Sequence, residues 1–263
     1  MRSLSAPLTS LPISLIPAVL ICQTSNLWYF SILPLSNMEA LPLYVSIVFI
    51  ATTFLTVGFF FKAARSSIKT LLALFSWLAV QGFIGYAMFY TVTDTLPPRF
   101  LLAVFPPLLT IVILFSTTSG RSYIDALHMK WLTLLHVVRI PVEVVLFWLC
   151  AYQLVPELMT FEGRNFDIVS GITAPIIFYF GCIKQQLPKA VMIGWNILCL
   201  ALLINIVTHA VLSAPSPFQQ LAFEQPNVGV LYFPFIWLPS CIVPLVLFSH
   251  LAALRQLIKN IHL

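Results

Sequence analysis

The feature that most constrains this chain is a series of seven long apolar runs separated by short polar turns. They cover Leu41 to Phe61, Leu71 to Tyr90, Phe100 to Ser116, Leu132 to Leu154, Ile168 to Ile183, Ala190 to Leu212 and Val230 to Leu254. A hydrocarbon layer about 30 Å thick takes roughly 20 apolar residues per helix. Inside it every backbone polar group must find a partner within the protein, which selects helices over open strands. The expected fold is all-α, a polytopic transmembrane helix bundle of about seven spans. Composition argues against a soluble fold: of the 263 residues 60% are hydrophobic and 8% charged, where a soluble domain carries roughly a quarter charged residues. A mean hydropathy of +1.00 over the chain leaves no stretch for a separate water-soluble domain. The lipid bilayer is therefore the first partner, and a multi-pass place in a cell membrane is expected.

Lys and Arg in short loops favour the cytoplasmic side. Lys62, Arg65, Lys69, Arg121, Lys130, Lys184, Lys189, Arg255 and Lys259 fall on one side of this scheme. Arg99 and Arg164 fall on the other, with Glu39, Asp94, Glu157, Glu162, Asp167 and Glu224. The predicted order is N-terminus out and C-terminus in. The net charge of +5 is spread over these turns rather than gathered in one patch, so no nucleic-acid partner is expected. Cys22, Cys150, Cys182, Cys199 and Cys241 all sit in apolar runs without a CxxC pair, which reads as packing. Residues 1–37 fit the scheme poorly, because Pro7, Pro12, Pro17 and Pro34 interrupt an apolar stretch. An eighth span, a signal-like segment with Arg2 before Leu11 to Ile21, and a mis-assigned start compete, with Met38 favoured as the true first residue. Residues 38–263 then form one seven-helix domain, with no internal repeat.

Function has to be sought among polar residues inside the spans. Charged groups at mid-bilayer cost roughly 2.5 to 3.5 kcal/mol on insertion scales and usually face the protein interior with a partner. Arg139 and Glu143 in span four are four residues apart, on one helical face, and are expected to meet as an ion pair. If the helix begins near Tyr123, Asp125, His128, His136, Arg139 and Glu143 share an arc of about 80°. Such a stripe reads either as a structural clip or as a polar cavity and proton path opening to the cytoplasm. Gln81, Asn196, Asn205, His209 and His250 are the other polar residues inside spans. His136 and His250 fall at similar depth on different helices and could face each other, the placement that axial haem ligands or two ligands of a metal site would need. A third metal ligand would have to be His128 or Glu143, but His128 falls at the interface, Glu143 is expected to pair with Arg139, and His209 lies at the wrong depth; no cofactor is otherwise implied. HExxH, GxSxG, Walker A and GxGxxG patterns are absent.

Pro234, Pro239 and Pro244 in span seven each remove a helix hydrogen bond and predict a kinked or broken helix. The loop from Pro156 to Asp167 concentrates Glu157, Glu162, Arg164, Asn165 and Asp167. It reads either as a lid or external recognition element or, the favoured reading, as an interfacial turn in which Arg164 pairs with Asp167 or Glu162. The stretch His136-Val-Val-Arg139-Ile-Pro-Val-Glu143, with Glu162-Gly-Arg-Asn-Phe-Asp167, resembles uncharacterised bacterial polytopic membrane proteins, which implies an inner-membrane location and no particular activity. The leading function is proton-coupled transport or sensing of a small solute or ion. A membrane-embedded enzyme or haem- or metal-binding redox protein using His136 and His250 is the alternative, and a structural subunit, including a homo-oligomer, is the third.

Overall fold

The computed structural model describes residues 37–260, so the reading of residues 1–36 lies outside the described residues. The described elements are helices, with no strand among them. In chain order they are α1 (Leu43–Ala63), α2 (Ile68–Tyr86), α3 (Leu101–Ser116), α4 (Thr118–Asp125), α5 (Met129–Ala151), α6 (Ile168–Ile183), α7 (Lys189–Ser213) and α8 (Leu238–Ile258). Five of them, α1, α2, α5, α7 and α8, are each long and apolar enough to cross a bilayer. The pair α3 and α4 reaches that length only if taken together, and it is bent by 93°. α6 is apolar but shorter.

Because these helices are apolar on all sides, hydropathy does not say which face is buried. In α1 the inward face is Val45, Phe49, Thr52, Thr56, Phe60 and Ala63, at helical spacing. Its threonines return their hydroxyls to carbonyls four residues back, Thr52 to Val48 at 2.8 Å and Thr56 to Thr52 at 2.8 Å, so they can be buried without an orphaned donor. α8 is the most buried span and the centre of the bundle, packed against α3, α4, α5 and α7. Pro244 in α8 has no N–H for the Ser240 carbonyl four residues back, and that carbonyl accepts the indole N–H of Trp77 in α2 at 2.8 Å. Trp237 makes a similar link to the Leu78 carbonyl at 2.9 Å. A proline that weakens one helix thus fastens α2 to it.

Two spans differ from the expected ones. The seventh does not start at Val230: residues 229–231 form a single 3-10 turn and the continuous helix begins at Leu238. Pro234 precedes it, and Pro239 lies in its first turn, where no intrahelical N–H is lost. The fourth does not begin near Tyr123. The chain turns a corner at Thr117, whose hydroxyl caps α4 by accepting the Gly120 N–H at 3.1 Å. Only glycine fits there, since a Cβ at Gly120 would run into the Leu114 backbone. After α4 the chain turns again, with the His128 N–H donating to the Ala63 carbonyl at 2.9 Å, and only then does α5 start.

The two ends of the bundle differ in charge. At one, Arg65 Nε donates to the Ala126 carbonyl at 2.6 Å, Arg255 grips Asp125 at 2.7 and 2.8 Å, and Lys189 reaches Asn260. At the other, neutral contacts close the loops: Gln225 Nε2 donates to the Val155 carbonyl, and the Gly229 N–H to that of Leu154.

Candidate functional site

The polar centre is made by a fault in α5 and a helix that begins inside the bundle. Pro141 offers no N–H to the Val137 carbonyl, and residues His136–Val138 tighten into a 3-10 turn. The turn sets the directions of His136, its first residue, and Arg139, which follows it. Gly171 of α6 lies against Ile140 and Arg139 so closely that an added Cβ would be 2.8 Å from Ile140 Cγ1. That contact brings the start of α6, and Asp167 just before it, alongside the middle of α5.

Arg139 is 2% exposed and is the hub. Its Nη1 donates to Asp167 Oδ1 at 2.8 Å and is 3.4 Å from the Cys199 carbonyl of α7; its Nη2 is 3.1 Å from His250 Nε2. A guanidinium only donates, so His250 Nε2 is the acceptor and the ring proton sits on Nδ1, which donates to Asn196 Oδ1 at 2.9 Å. Asn196 Nδ2 passes the polarity on to the Met192 carbonyl at 2.9 Å. A directional chain therefore leads from Arg139 through α8 to α7, towards the basic end.

Glu143 lies on the other side of Arg139. The expected Arg139–Glu143 ion pair is replaced by the bond to Asp167, because α6 delivers that carboxylate to the guanidinium. Glu143 instead accepts from Asn165 Nδ2 through Oε1, and Asn165 Oδ1 accepts the Asp167 N–H at 3.0 Å. The loop expected to be an interfacial turn thus folds inward: Asn165 is fully buried and Asp167 is 5% exposed, and neither belongs to the outer surface. Arg164 is held in that loop through its backbone, its N–H donating to the Leu158 carbonyl at 3.3 Å and its carbonyl accepting from Asn205. The second Glu143 oxygen, Oε2, has no hydrogen-bond partner, and the residue is 2% exposed. Glu143, Asp167 and Asn227 line a largely apolar cavity of about 120 Å³ between α3, α5, α7 and α8.

The other candidates separate. His136 is fully buried and stacks face to face on His250, centroids 3.7 Å apart and planes 12° from parallel, with Trp195 against both rings. The expected facing of His136 and His250 is present, but it does not fit axial ligation of a haem, since rings in direct stacking leave no space for a macrocycle and both His250 nitrogens are engaged. No group of three His, Cys, Asp or Glu among the described residues could hold a metal ion. Asp125 and His128 do not continue the stripe, because α4 and the turn after it are separate from α5. Asp125 serves Arg255 at the basic end. His128 lines a different pocket there, of about 500 Å³, with Lys130, Cys182, Gln185 and Met192.

A family model, described as a domain of unknown function (DUF8737), matches residues 100–258. The match runs over more than half of the chain and takes in every residue of the polar centre. No curated protein and no solved structure matches the chain.

Proposed function

The chain belongs to the family of that domain of unknown function, DUF8737, and from that premise we propose that it is a multi-pass membrane protein whose buried centre of Arg139, Asp167, Glu143 and Asn165 is a proton-linked binding site for a small solute. Five helices of spanning length and apolarity support the membrane placement, with α3 and α6 as the remaining crossings and α4, bent 93° from α3, lying at the basic end. The gathering of Arg65, Arg255 and Lys189 at one end supports a cytoplasmic orientation for that end.

The observation that carries the reading is the charge count around Arg139. One guanidinium faces two carboxylates, and Asp167 occupies it. Glu143 has a neutral partner on one oxygen and none on the other. A buried carboxylate without a cation of its own is too costly to keep charged, so it holds either a proton or a cationic solute. Exchange between those two states is the elementary step of proton-coupled transport or sensing. Arg139 connects it to the His250–Asn196 chain, so that a change at Glu143 reaches α7 and α8. The test is infrared difference spectroscopy of the full chain in lipid nanodiscs across a pH titration. A protonated-carboxyl band that appears in the wild type and is missing in Glu143→Gln is the expected result. Identical spectra for the two proteins would overturn the reading.

A further inference from the structure

The cavity beside Glu143 offers acceptors and no donors. Glu143 Oε2 and Asn227 Oδ1 are both buried and both without a hydrogen-bond partner, and both residues line it. Asn227 is 1% exposed, and its Nδ2 is already committed to the Ala210 carbonyl at 3.2 Å. Asn165 Nδ2, which donates to the Glu143 carboxylate, is shared between Glu143 Oε1 and the Met159 carbonyl. The rest of the wall is mainly aliphatic, including Val142, Leu146, Leu203, Ile206 and Leu231.

A ligand for such a space must bring its own donors, a positive charge and a short apolar body. Resting on the proton-linked reading above, we propose that this cavity binds a small primary alkylammonium ion in exchange for the Glu143 proton. An ammonium carries three N–H donors and no acceptor, which suits the two uncommitted oxygens. An anion would meet Glu143 and Asp167 with nothing to receive it. The size follows from volume: an apolar cavity of roughly 150 Å³ takes up benzene, so about 120 Å³ suits a body of four or five heavy atoms. The exchange balances. The carboxyl O–H of Glu143 breaks, its proton leaves to solvent, and the carboxylate left behind is neutralised by the incoming cation. No bond forms to the ligand and the charge of the site is unchanged. The ionisable groups around Glu143 are Asp167 from the loop, Arg139 on its own helix, and His250 and Cys199 from α8 and α7 behind Arg139, while α3 and the residue before it contribute only Val104 and Phe100.

The experiment is calorimetric titration of the full chain in nanodiscs with n-butylammonium chloride, with n-butanol and sodium butyrate as comparators, in two buffers of different ionisation enthalpy. Butylammonium binding should release one proton and weaken up to tenfold per pH unit on acidification, while Glu143 is protonated. Glu143→Gln should weaken it at least tenfold and Asn227→Leu several-fold. Ala210→Leu, which fills the cavity with Glu143 intact, should also remove binding. If butanol binds as tightly as butylammonium, if Glu143→Gln binds it unchanged, or if butylammonium fails to bind while the Glu143 carboxyl band still titrates, the alkylammonium assignment is overturned. Absence of that band overturns the proton-linked reading, and this one with it.

Discussion

Arg139 divides its guanidinium between Asp167 and His250, and that division sets what each substitution should do. Removing one member of a buried ion pair leaves the other charged and unpaired, at a cost of about 3–5 kcal/mol, whereas removing both can be nearly neutral. Arg139→Leu and Asp167→Leu should therefore each lower unfolding stability in detergent by about that amount, with the double variant recovering most of the loss. In the same double-mutant cycle, coupling of Arg139 to Glu143 should be the smaller of the two; equal or reversed couplings would contradict the pairing described. A different outcome holds for Asp125, which lies outside the spans. The two hydrogen bonds from Arg255, helped by Lys259 at 3.8 Å, keep its carboxyl below its ordinary value of 3.8. A depressed folded value means that the stabilisation is complete above the ordinary value and is lost as pH falls through the folded one. Melting of wild type and Asp125→Asn should differ near neutral pH, by about 1 kcal/mol for a partly solvent-exposed pair, and converge in strong acid. A gap that stays constant down to about pH 2 would show that the carboxylate charge is not its source.

At the scale of elements, the closeness of α5 and α6 decides whether the centre forms. Gly171 is the contact point, with Ile140 and Arg139 where a side chain would be. Gly171→Leu should force the helices apart, take Asp167 from Arg139, and lower stability by about 3 kcal/mol or more, in the range of overpacking plus a broken buried pair. In the infrared titration the Glu143 band should shift even though Glu143 itself is untouched; an unshifted band would mean that α6 does not hold the site. Most of the helices were legible as apolar runs because a bilayer demands length and apolarity from each. The site was legible only in part. His136, Arg139, Glu143 and His250 stood out as polar groups in apolar runs, but their partners did not, since i, i+4 spacing favours a neighbour on the same helix and says nothing of one delivered by another. A usable signal was present: the run from Ile168 to Ile183 is only about 24 Å long at 1.5 Å per residue, too short for a layer of about 30 Å. A span that short, preceded by Asn165 and Asp167, starts inside the protein. The corner at Thr117–Gly120 was missed for a related reason, since Thr, Ser and Gly between two helical stretches also fit an ordinary loop.

Taken as a whole, the molecule separates its charges by end and its ionisable chemistry by depth. Basic side chains gather where α1, α5 and α8 meet α4, acidic residues Glu162 and Glu224 lie exposed on loops of the other end, and the Arg139 centre sits between with a cavity on each side. The pocket lined by His128 and Met192 approaches from the basic end, and Met192 is also the last acceptor of the chain that begins at Arg139. The Glu143 cavity approaches from the other, through residues near the start of α3 and the end of α7. Two cavities separated by one polar layer would suit the proposed exchange, because a continuous opening would let protons run freely. The arrangement has a direction that can be read in cells. In a cysteine-free background, single cysteines at Glu162 and Glu224 should react with a membrane-impermeant maleimide added to intact cells. Cysteines at Lys62, Lys184 and Lys259 should react only after permeabilisation, because basic loops stay on the cytoplasmic side. The reverse pattern would turn the bundle over and place the Glu143 cavity towards the cytoplasm. Labelling of both groups from outside would contradict a bilayer between the two ends, and with it the reason the Arg139 centre has to be neutral.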